Sequence, residues 1–238
     1  MKKTLLLLWS AGLCFTALAE NSAIVPASRT SPTNWVARHE GFLVEAKQGK
    51  FDLVFVGDSI TDGWRKRGLQ VWDKFYAPHH ALNLGIGGDR TEHVLWRIER
   101  GELAGLKPKA VVLMIGTNNT GKEKDGSARN STAEIIEGVT AVVKQIRTKL
   151  PQSKLLLLAV FPRGAVDAPQ RAQIKEINTA IAKLDDGKMI KFLDIGKVFL
   201  AEDGSIPKTI MPDLLHPNEQ GYQLWADAME PTLAGMLK

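Results

Sequence analysis

Cysteine is the scarcest residue of this sequence, and its scarcity excludes several kinds of chemistry. The only cysteine among 238 residues is Cys14, which lies in a segment expected to be removed from the mature protein. Without it, the chain has no thiol nucleophile, no disulfide framework and no cysteine-ligated zinc site. Any catalytic nucleophile of the mature protein must therefore be a group other than a thiol.

A strong excess of charge of one sign is also absent. The 31 lysines and arginines outnumber the 26 acidic residues by a formal charge of +5, and removing residues 1–19 would take two lysines and no acid, leaving +3. That charge is too small and too dispersed along the chain to predict binding to nucleic acid.

Long apolar runs are confined to the N-terminus. Lys2 and Lys3 precede an apolar stretch at residues 5–17, and the small residues of Ala17-Leu18-Ala19 come before Glu20. This layout predicts a secretory signal peptide over residues 1–19, and the stretch is shorter than the roughly 20 residues of a membrane span. We expect export to the periplasm or the extracellular space, without stable membrane insertion after cleavage. An uncleaved N-terminal anchor is the alternative.

The rest of the chain divides into a short leader and one domain. Residues 20–32 are rich in Ser, Thr, Pro and Ala without periodicity, which predicts a flexible leader. Residues 33–238 alternate short apolar strands with helical patterns, which predicts a parallel sheet of about five strands with helices on both faces. The predicted strands are 53–56, 81–84, 110–115, 154–160 and 190–194, and the predicted helices are 33–46, 91–99, 131–150, 168–184 and 218–237.

Ser59 lies where the first of these strands ends. The apolar run Leu53–Val56 stops at Gly57-Asp58-Ser59, and open α/β sheets bind ligands at the carboxyl edge of their strands. Because right-handed crossovers bring the strand ends to one edge, the turns after the strands should converge there. A serine held at that edge can act as a nucleophile if a base and oxyanion donors lie nearby. Taken alone, a helix N-cap is the commoner role of such a serine.

A base for that serine is indicated by Asp213-Leu-Leu-His216-Pro217, just before the last predicted helix. Asp213 can orient the His216 imidazole and stabilise its charged form while the other ring nitrogen faces Ser59. Pro217 restricts the backbone of the loop. Taken alone, the Asp-x-x-His spacing is equally compatible with a local turn.

Oxyanion donors are indicated by the turns Gly85–Asp89 and Gly116–Asn119, which follow the second and third strands. Gly88 can offer a backbone N–H without a side chain in the way, Asn118 its side-chain amide, and Ser59 its own N–H. Each turn alone has a purely structural interpretation, as a tight turn or an Asx-type turn. Together, four suitable turns in this order predict a serine esterase.

These four turns resemble the signature blocks of the SGNH (GDSL-type) hydrolase family. Within it, Ala81–Arg97, Gly101-Glu-Leu103 and Pro162-Arg-Gly164 resemble the branch of the platelet-activating factor acetylhydrolase catalytic subunits. The resemblance implies a flavodoxin-like three-layer α/β/α sandwich and no metal or organic cofactor. It implies an acyl-serine intermediate with Ser59 as nucleophile, His216 as base and Asp213 as its orienter.

The resemblance leaves the substrate open, because named members of that branch are cytosolic whereas this chain carries a predicted signal peptide. We expect acetyl or other short acyl esters of saccharides or small molecules, with Asp58, Ile60, Asp89, Arg163 and Leu215 as candidate substrate contacts. Ile60 and Leu215 flank the expected nucleophile and base, and similar apolar neighbours in that branch limit the acyl pocket to small groups. Arg163 could equally be a solvated surface residue. A lysophospholipase or thioesterase acting on longer acyl chains is the alternative, and a homodimer is compatible with the resemblance.

Non-catalytic functions are the remaining alternatives. The glycine turn lacks the G-x-G-x-x-G spacing and a partner acid, and a nucleotide-binding module of this fold would not explain Asp213 and His216. A carbohydrate-binding module derived from the family should have lost a triad or oxyanion residue, and all are present. His79-His80 is too weak a pattern to predict a metal site.

Overall fold

Residues 20–29 and 34–238, which the computed structural model describes, contain a central sheet of five parallel strands. They pair in the order β2-β1-β3-β4-β5. The sequence prediction of a parallel sheet of about five strands is confirmed. The strands are β1 (Leu53–Gly57), β2 (Ala81–Gly85), β3 (Ala110–Met114), β4 (Lys154–Leu158) and β5 (Ile190–Leu193).

Helices cover both faces of this sheet. One apolar core lies between the sheet and α1, α4, α5 and α6, and a second lies between the sheet and α3 and α7. This is the three-layer α/β/α arrangement that the sequence predicts. The helices of the described residues are α1 (Trp35–Gln48), α2 (Ser59–Asp62), α3 (Leu69–Phe75), α4 (Thr91–Glu99), α5 (Thr132–Lys149), α6 (Pro169–Ile181) and α7 (Glu219–Leu237).

Alternation along the strands builds the two cores. In β1, Val54 and Val56 belong to the first core and Leu53 and Phe55 to the second, and all four are fully buried. Successive side chains of a strand point to opposite faces, so a strand covered on both sides is apolar throughout. Burying each such side chain contributes roughly 1.5–3 kcal/mol. The packed sheet therefore holds the turns at its strand ends in place.

Helices α2 and α3 differ from the sequence prediction, which placed no helix between the first two strands. α2 has four residues and α3 has seven. Helices this short complete too few turns for their apolar periodicity to be recognised. Both contribute to the second core, through Ile60 of α2 and Val71 of α3.

The leader is ordered in its described part, so the prediction of flexibility is wrong for residues 20–29. Ala23 is fully buried, its carbonyl accepts a hydrogen bond of 2.8 Å from Thr91 Oγ1, and Ala27 N donates to Glu92 O at 3.1 Å. The physical reason is close packing on α5, where a Cβ added at Gly138 would lie 3.0 Å from Ala23 Cβ. Residues 30–32 of the leader and the predicted signal peptide, residues 1–19, lie outside the described residues.

The longest helix among the described residues is α7, with 19 residues. None of the helices in residues 20–29 and 34–238 combines the length and the apolar character that crossing a membrane requires.

Candidate active site

The strand order creates a crevice at the carboxyl edge of the sheet. The chain adds β2 on one side of β1 and later β3 on the other, so the sheet has a topological switch point between β1 and β3. In open α/β sheets, ligands bind outside the carboxyl ends of the strands at such a point. Ser59 begins α2 directly after β1, and Asn118 lies in the 3₁₀ turn Thr117–Thr120 shortly after β3.

Ser59, His216 and Asp213 form a continuous hydrogen-bonded chain in this crevice. Ser59 Oγ lies 2.8 Å from His216 Nε2, and His216 Nδ1 lies 2.6 Å from Asp213 Oδ2. Partial burial raises the pKa of Asp213, but hydrogen bonds from the side chain and backbone of His216 outweigh it and hold that pKa below its usual value. An ionised Asp213 can orient the imidazole and stabilise its protonated form, so the ring can take a proton from Ser59. The convergence expected from the sequence is present.

The loop that carries His216 is held by its own backbone. Asp213 Oδ1 accepts hydrogen bonds from His216 N at 2.7 Å and Leu215 N at 3.1 Å. Leu214 adopts a positive φ of 58°, which costs a non-glycine residue roughly 1–2 kcal/mol, and its carbonyl accepts a hydrogen bond of 2.8 Å from Gly164 N. These contacts fix the direction in which the imidazole enters the crevice.

The glycine turn after β2 lies directly beside Ser59. A Cβ added at Gly87 would be 3.8 Å from Ser59 Cβ, and Gly88 has a φ of +80° that L side chains rarely adopt. Asn118 Nδ2 donates to the carbonyl of Asp89 at 2.8 Å. That bond uses one of the two amide hydrogens and leaves the other for a ligand. Ser59 is the first residue of α2, where a backbone N–H has no partner within its helix. The three candidate oxyanion donors are thus brought to one place.

The side chain of Asp89 holds the glycine turn after β2 in place through buried hydrogen bonds. Its side chain is fully buried and accepts hydrogen bonds from Trp35 Nε1 at 2.7 Å and from Arg97 Nε at 2.9 Å. Burial raises the pKa of Asp89, and Arg97, Trp35 and Arg29 oppose that shift. Arg97 is itself fully buried and also pairs with Glu102. The turn is therefore tied to α1 and α4 through a buried polar network.

Asp58, next to Ser59, is also buried. Its Oδ1 accepts a hydrogen bond of 2.9 Å from Ile60 N, which caps α2, whereas Oδ2 has no hydrogen-bond partner among the described residues. Burial raises the pKa of Asp58 from 3.8 to about 7. Arg163 lies close enough to Asp58 to oppose that shift, and its Nη1 donates to Thr117 O at 2.8 Å.

The expected substrate contacts divide into two groups. Asp58, Ile60 and Asp89 have 0%, 1% and 0% of their surface exposed, so their side chains support the site from within and offer no surface to a substrate in this structure. This corrects the expectation that Ile60 lines the acyl pocket, because its side chain packs into the second core. Leu215 is half-buried beside His216, and Arg163 is partly buried and bound to the Thr117 turn instead of being a solvated surface residue.

Two supporting residues escaped the sequence analysis. Arg29 lies in the segment expected to be flexible, yet its Nη1 donates to Gly87 O at 2.6 Å and to Asp89 Oδ1 at 3.2 Å. Tyr222 of α7 donates its hydroxyl to Ile60 O in α2 at 2.6 Å. Both contacts join residues far apart in the chain, and no local pattern around residue 29 signals its partner.

A serine, histidine and aspartate joined in this way at the edge of a doubly wound sheet is the arrangement of a serine hydrolase. The profile of the GDSL-like lipase/acylhydrolase family matches residues 55–224. The chain belongs to this family and is a carboxylic ester hydrolase.

Among curated proteins, the chain is similar to subunits that are named platelet-activating factor acetylhydrolase IB alpha1 and alpha2. The chain is 36% identical over 189 residues to platelet-activating factor acetylhydrolase IB subunit alpha2 of Rattus norvegicus, covering 79% of this chain and 78% of that one. It is 33% identical over 220 residues to the alpha1 subunit of Homo sapiens, covering 89% and 91%. The family resemblance expected from the sequence is confirmed.

Solved structures share the fold. A GDSL-like lipase from Bacteroides thetaiotaomicron superposes with a TM-score of 0.65 at 18% identity, covering 84% of this chain and 98% of that chain. The acetyl xylan esterase AlAXEase superposes with a TM-score of 0.63 at 23% identity, covering 76% and 98%. At these identities the likeness concerns the fold alone.

Proposed function

We propose that this chain is an exported serine esterase that hydrolyses acetyl or other short acyl oxygen esters through an acyl-serine intermediate. The observation that carries the proposal is the pair of short contacts that link Ser59 Oγ to His216 Nε2 and His216 Nδ1 to Asp213 Oδ2. Family membership supplies the reaction class, ester hydrolysis, and the contacts support the assignment of Ser59 as nucleophile and His216 as base.

The proposed first half-reaction acylates Ser59. Its Oγ attacks the ester carbonyl carbon while His216 Nε2 takes the hydroxyl proton, and a tetrahedral intermediate forms. When the intermediate collapses, the bond to the alcohol oxygen breaks and His216 returns the proton to that oxygen. Asp213 stabilises the imidazolium throughout.

The proposed second half-reaction uses water in place of the alcohol. His216 takes a proton from water, the resulting hydroxide attacks the acyl-serine, and Ser59 Oγ leaves with that proton while the carboxylic acid is released. No cofactor is required, because water is the only co-substrate. In both halves the negative oxygen is stabilised by the Ser59 N–H, the Gly88 N–H and the Asn118 amide.

The proposed preference for acetyl groups rests on what the similar proteins share. The platelet-activating factor acetylhydrolase subunits and the acetyl xylan esterase are both named for acetyl esters, of platelet-activating factor in one case and of xylan in the other. The acyl part is thus common to relatives whose alcohols differ. A saccharide or small-molecule alcohol agrees with the predicted export, and an acetylated phospholipid agrees with the curated relatives.

Turnover of p-nitrophenyl acetate by wild type and by Ser59→Ala tests the reaction. We expect hydrolysis by wild type and none above background by Ser59→Ala, with unchanged circular dichroism. Ser205→Ala is the matched control, because Ser205 is a serine of another loop, where its backbone N donates to Asp203 Oδ1. Activity retained in Ser59→Ala would contradict the proposed nucleophile, and an inactive wild type would favour a non-catalytic module.

Two substrate series test the finer parts of the proposal. Acetyl, butyryl and octanoyl p-nitrophenyl esters should show the acetyl ester with the highest kcat/KM, and a faster octanoyl ester would point to a long-chain lipase. Acetate release from acetylated xylan, pectin fragments, acetylated sialic acid and an acetylated phospholipid then identifies the alcohol. N-terminal sequencing of the exported protein tests cleavage before Glu20.

A further inference from the structure

Arg29 touches the glycine turn at the peptide group between Gly87 and Gly88, which carries one of the proposed oxyanion donors. Its Nη1 donates to Gly87 O at 2.6 Å and to Asp89 Oδ1 at 3.2 Å. A Cβ added at Gly88 would lie 2.9 Å from Arg29 Nη2 and 3.1 Å from Nη1, so the guanidinium is packed against the Gly88 backbone. The side chain is 18% exposed, and both of the hydrogen bonds from Nη1 go to acceptors of the turn.

Because of the geometry of the peptide group, the contact of Arg29 with the Gly87 carbonyl also affects the Gly88 N–H, which lies on the opposite side of the turn. The carbonyl of Gly87 and the N–H of Gly88 belong to one planar unit, and in a trans peptide they point in opposite directions. Holding the carbonyl towards Arg29 therefore holds the N–H away from it. A charged donor on the carbonyl also polarises the group and strengthens the N–H as a donor.

The segment that carries Arg29 is fastened independently of the turn. Asn21 Nδ2 donates to Glu137 Oε2 at 2.7 Å, and the buried Ala23 bonds to α4 through Thr91 Oγ1 at 2.8 Å. Ala27 N adds a backbone hydrogen bond of 3.1 Å to Glu92 O. Because the segment is anchored on α4 and α5, it can hold the guanidinium in a defined position against the turn.

We propose that Arg29 is a positioning residue for ester hydrolysis: through the Gly87 carbonyl it fixes and strengthens the Gly88 N–H as an oxyanion donor. This inference rests on the serine-esterase mechanism of the proposed function and adds to it that residues 20–29 complete the active site. Arg29 itself touches neither the reacting atoms nor the substrate.

Steady-state kinetics of Arg29→Ala with p-nitrophenyl acetate test the inference. Losing an oxyanion donor costs about 10²–10³ in kcat, so a donor that is present but poorly held should cost roughly 10- to 100-fold, with KM changed by less than about threefold. Added guanidinium chloride, below unfolding concentrations and compared with equal sodium chloride, should restore part of kcat. Arg29→Lys keeps the charge and stem but loses the planar fork, so it should lie between wild type and Arg29→Ala.

Two controls separate positioning from folding. Arg147→Gln removes an arginine that donates to backbone carbonyls just before the amino end of β4, and Arg90→Gln removes an arginine near the turn that pairs with Glu92 and Glu123. Both should keep kcat within a few-fold of wild type and show no response to guanidinium. If Arg29→Ala does not fold, the comparison of Arg29→Lys with these two controls decides the question.

The outcomes distinguish this inference from the proposed function. Activity in Ser59→Ala would overturn the esterase mechanism and the inference with it. An inactive Ser59→Ala together with unchanged kcat in Arg29→Ala would overturn the inference alone. A loss in Arg29→Ala that appears in KM instead of kcat, or that guanidinium does not restore, would assign Arg29 to substrate binding or to structure and would also overturn it.

Discussion

The hydroxyl of Tyr222 donates a hydrogen bond of 2.6 Å to the carbonyl of Ile60, one residue after the proposed nucleophile. This bond joins α7, which follows the His216 loop, to α2, which begins at Ser59. Gly63 makes room for it, since a Cβ there would lie 1.9 Å from the Tyr222 hydroxyl. The segment that carries Ser59 and the segment that carries Asp213 and His216 are therefore joined by a buried hydrogen bond as well as by the contacts within the crevice.

The two tyrosines of the chain should respond differently to loss of their hydroxyls. Tyr222→Phe leaves the Ile60 carbonyl without this donor and should lower the free energy of unfolding by about 1–2 kcal/mol. Tyr76 is also fully buried, but its hydroxyl has no hydrogen-bond partner among the described residues. Tyr76→Phe should therefore be neutral or stabilising. Urea unfolding of both variants checks this, and equal losses would contradict it.

Asp58 should make stability depend on pH. Burial raises its pKa in the folded protein to about 7 from an ordinary 3.8, so between these values the unfolded chain loses a proton that the folded chain keeps. The stability contributed by protonated Asp58 is complete below about pH 4 and is lost as the pH rises through about 7. The asparagine of Asp58→Asn resembles the protonated acid and does not ionise.

The measurement is the difference in unfolding free energy between Asp58→Asn and wild type, by urea at pH 5 and at pH 8. The difference should shift in favour of the variant with rising pH, by an amount of order 2–4 kcal/mol. Asp203 is the control: hydrogen bonds from Ser205 lower the pKa of this exposed carboxyl, so Asp203→Asn should show no such trend above pH 5. A flat difference for Asp58→Asn would mean that Asp58 is ionised in the fold.

Asn118 should matter for kcat more than for stability. Its amide is held by the Asp89 carbonyl and has one hydrogen left for the oxyanion, so Asn118→Ala should lower kcat by about 10²–10³ with KM little changed. Thr120→Ala is the matched control, because Thr120 Oγ1 donates to Thr117 O at 2.7 Å within the same turn. Only a few-fold loss in Asn118→Ala, or an equal loss in Thr120→Ala, would contradict the assignment.

The sequence predicted those parts of the site that follow from local patterns. An apolar run ending at Gly57-Asp58-Ser59 marks a strand end, and right-handed crossovers require the other turns to meet it, so the approach of Ser59 to His216 could be expected. The contact of Arg29 with Gly87 could not. It joins residues 58 positions apart, and a segment without periodicity carries no sign of the surface on which it packs.

The burial of Asp58 and Ile60 was the second feature that could not be predicted. Asp58 and Ile60 are sequence neighbours of Ser59, which made substrate contact a reasonable expectation for both. Whether a side chain beside a nucleophile faces the crevice or the core depends on the direction of α2 against β1 and β3. That direction is set by packing with α7, in particular by Tyr222, and a single sequence does not reveal such a contact.

Replacing Gly88 by alanine should lower both the stability, through the backbone, and kcat, through packing against Arg29. Its φ is +80°, and Gly126 has a similar φ of +88° in a loop where an added Cβ meets nothing within 4 Å. Gly88→Ala and Gly126→Ala should therefore share a backbone cost of roughly 1–2 kcal/mol in stability. Only Gly88→Ala brings a Cβ to 2.9 Å from Arg29 Nη2, so only this variant should lose kcat as well.

A double-mutant cycle separates the two causes of that loss in kcat. If Gly88→Ala acts by displacing the Arg29 guanidinium, then adding it to Arg29→Ala should cost much less in kcat/KM than adding it to wild type, since the group to be displaced is already gone. If it acts only by moving the Gly88 N–H through backbone strain, the two losses should multiply. Strict multiplication would contradict the link between Arg29 and the glycine turn, while an intact kcat in Gly88→Ala would contradict the prediction that a Cβ at residue 88 disturbs the oxyanion site by displacing Arg29 or straining the backbone.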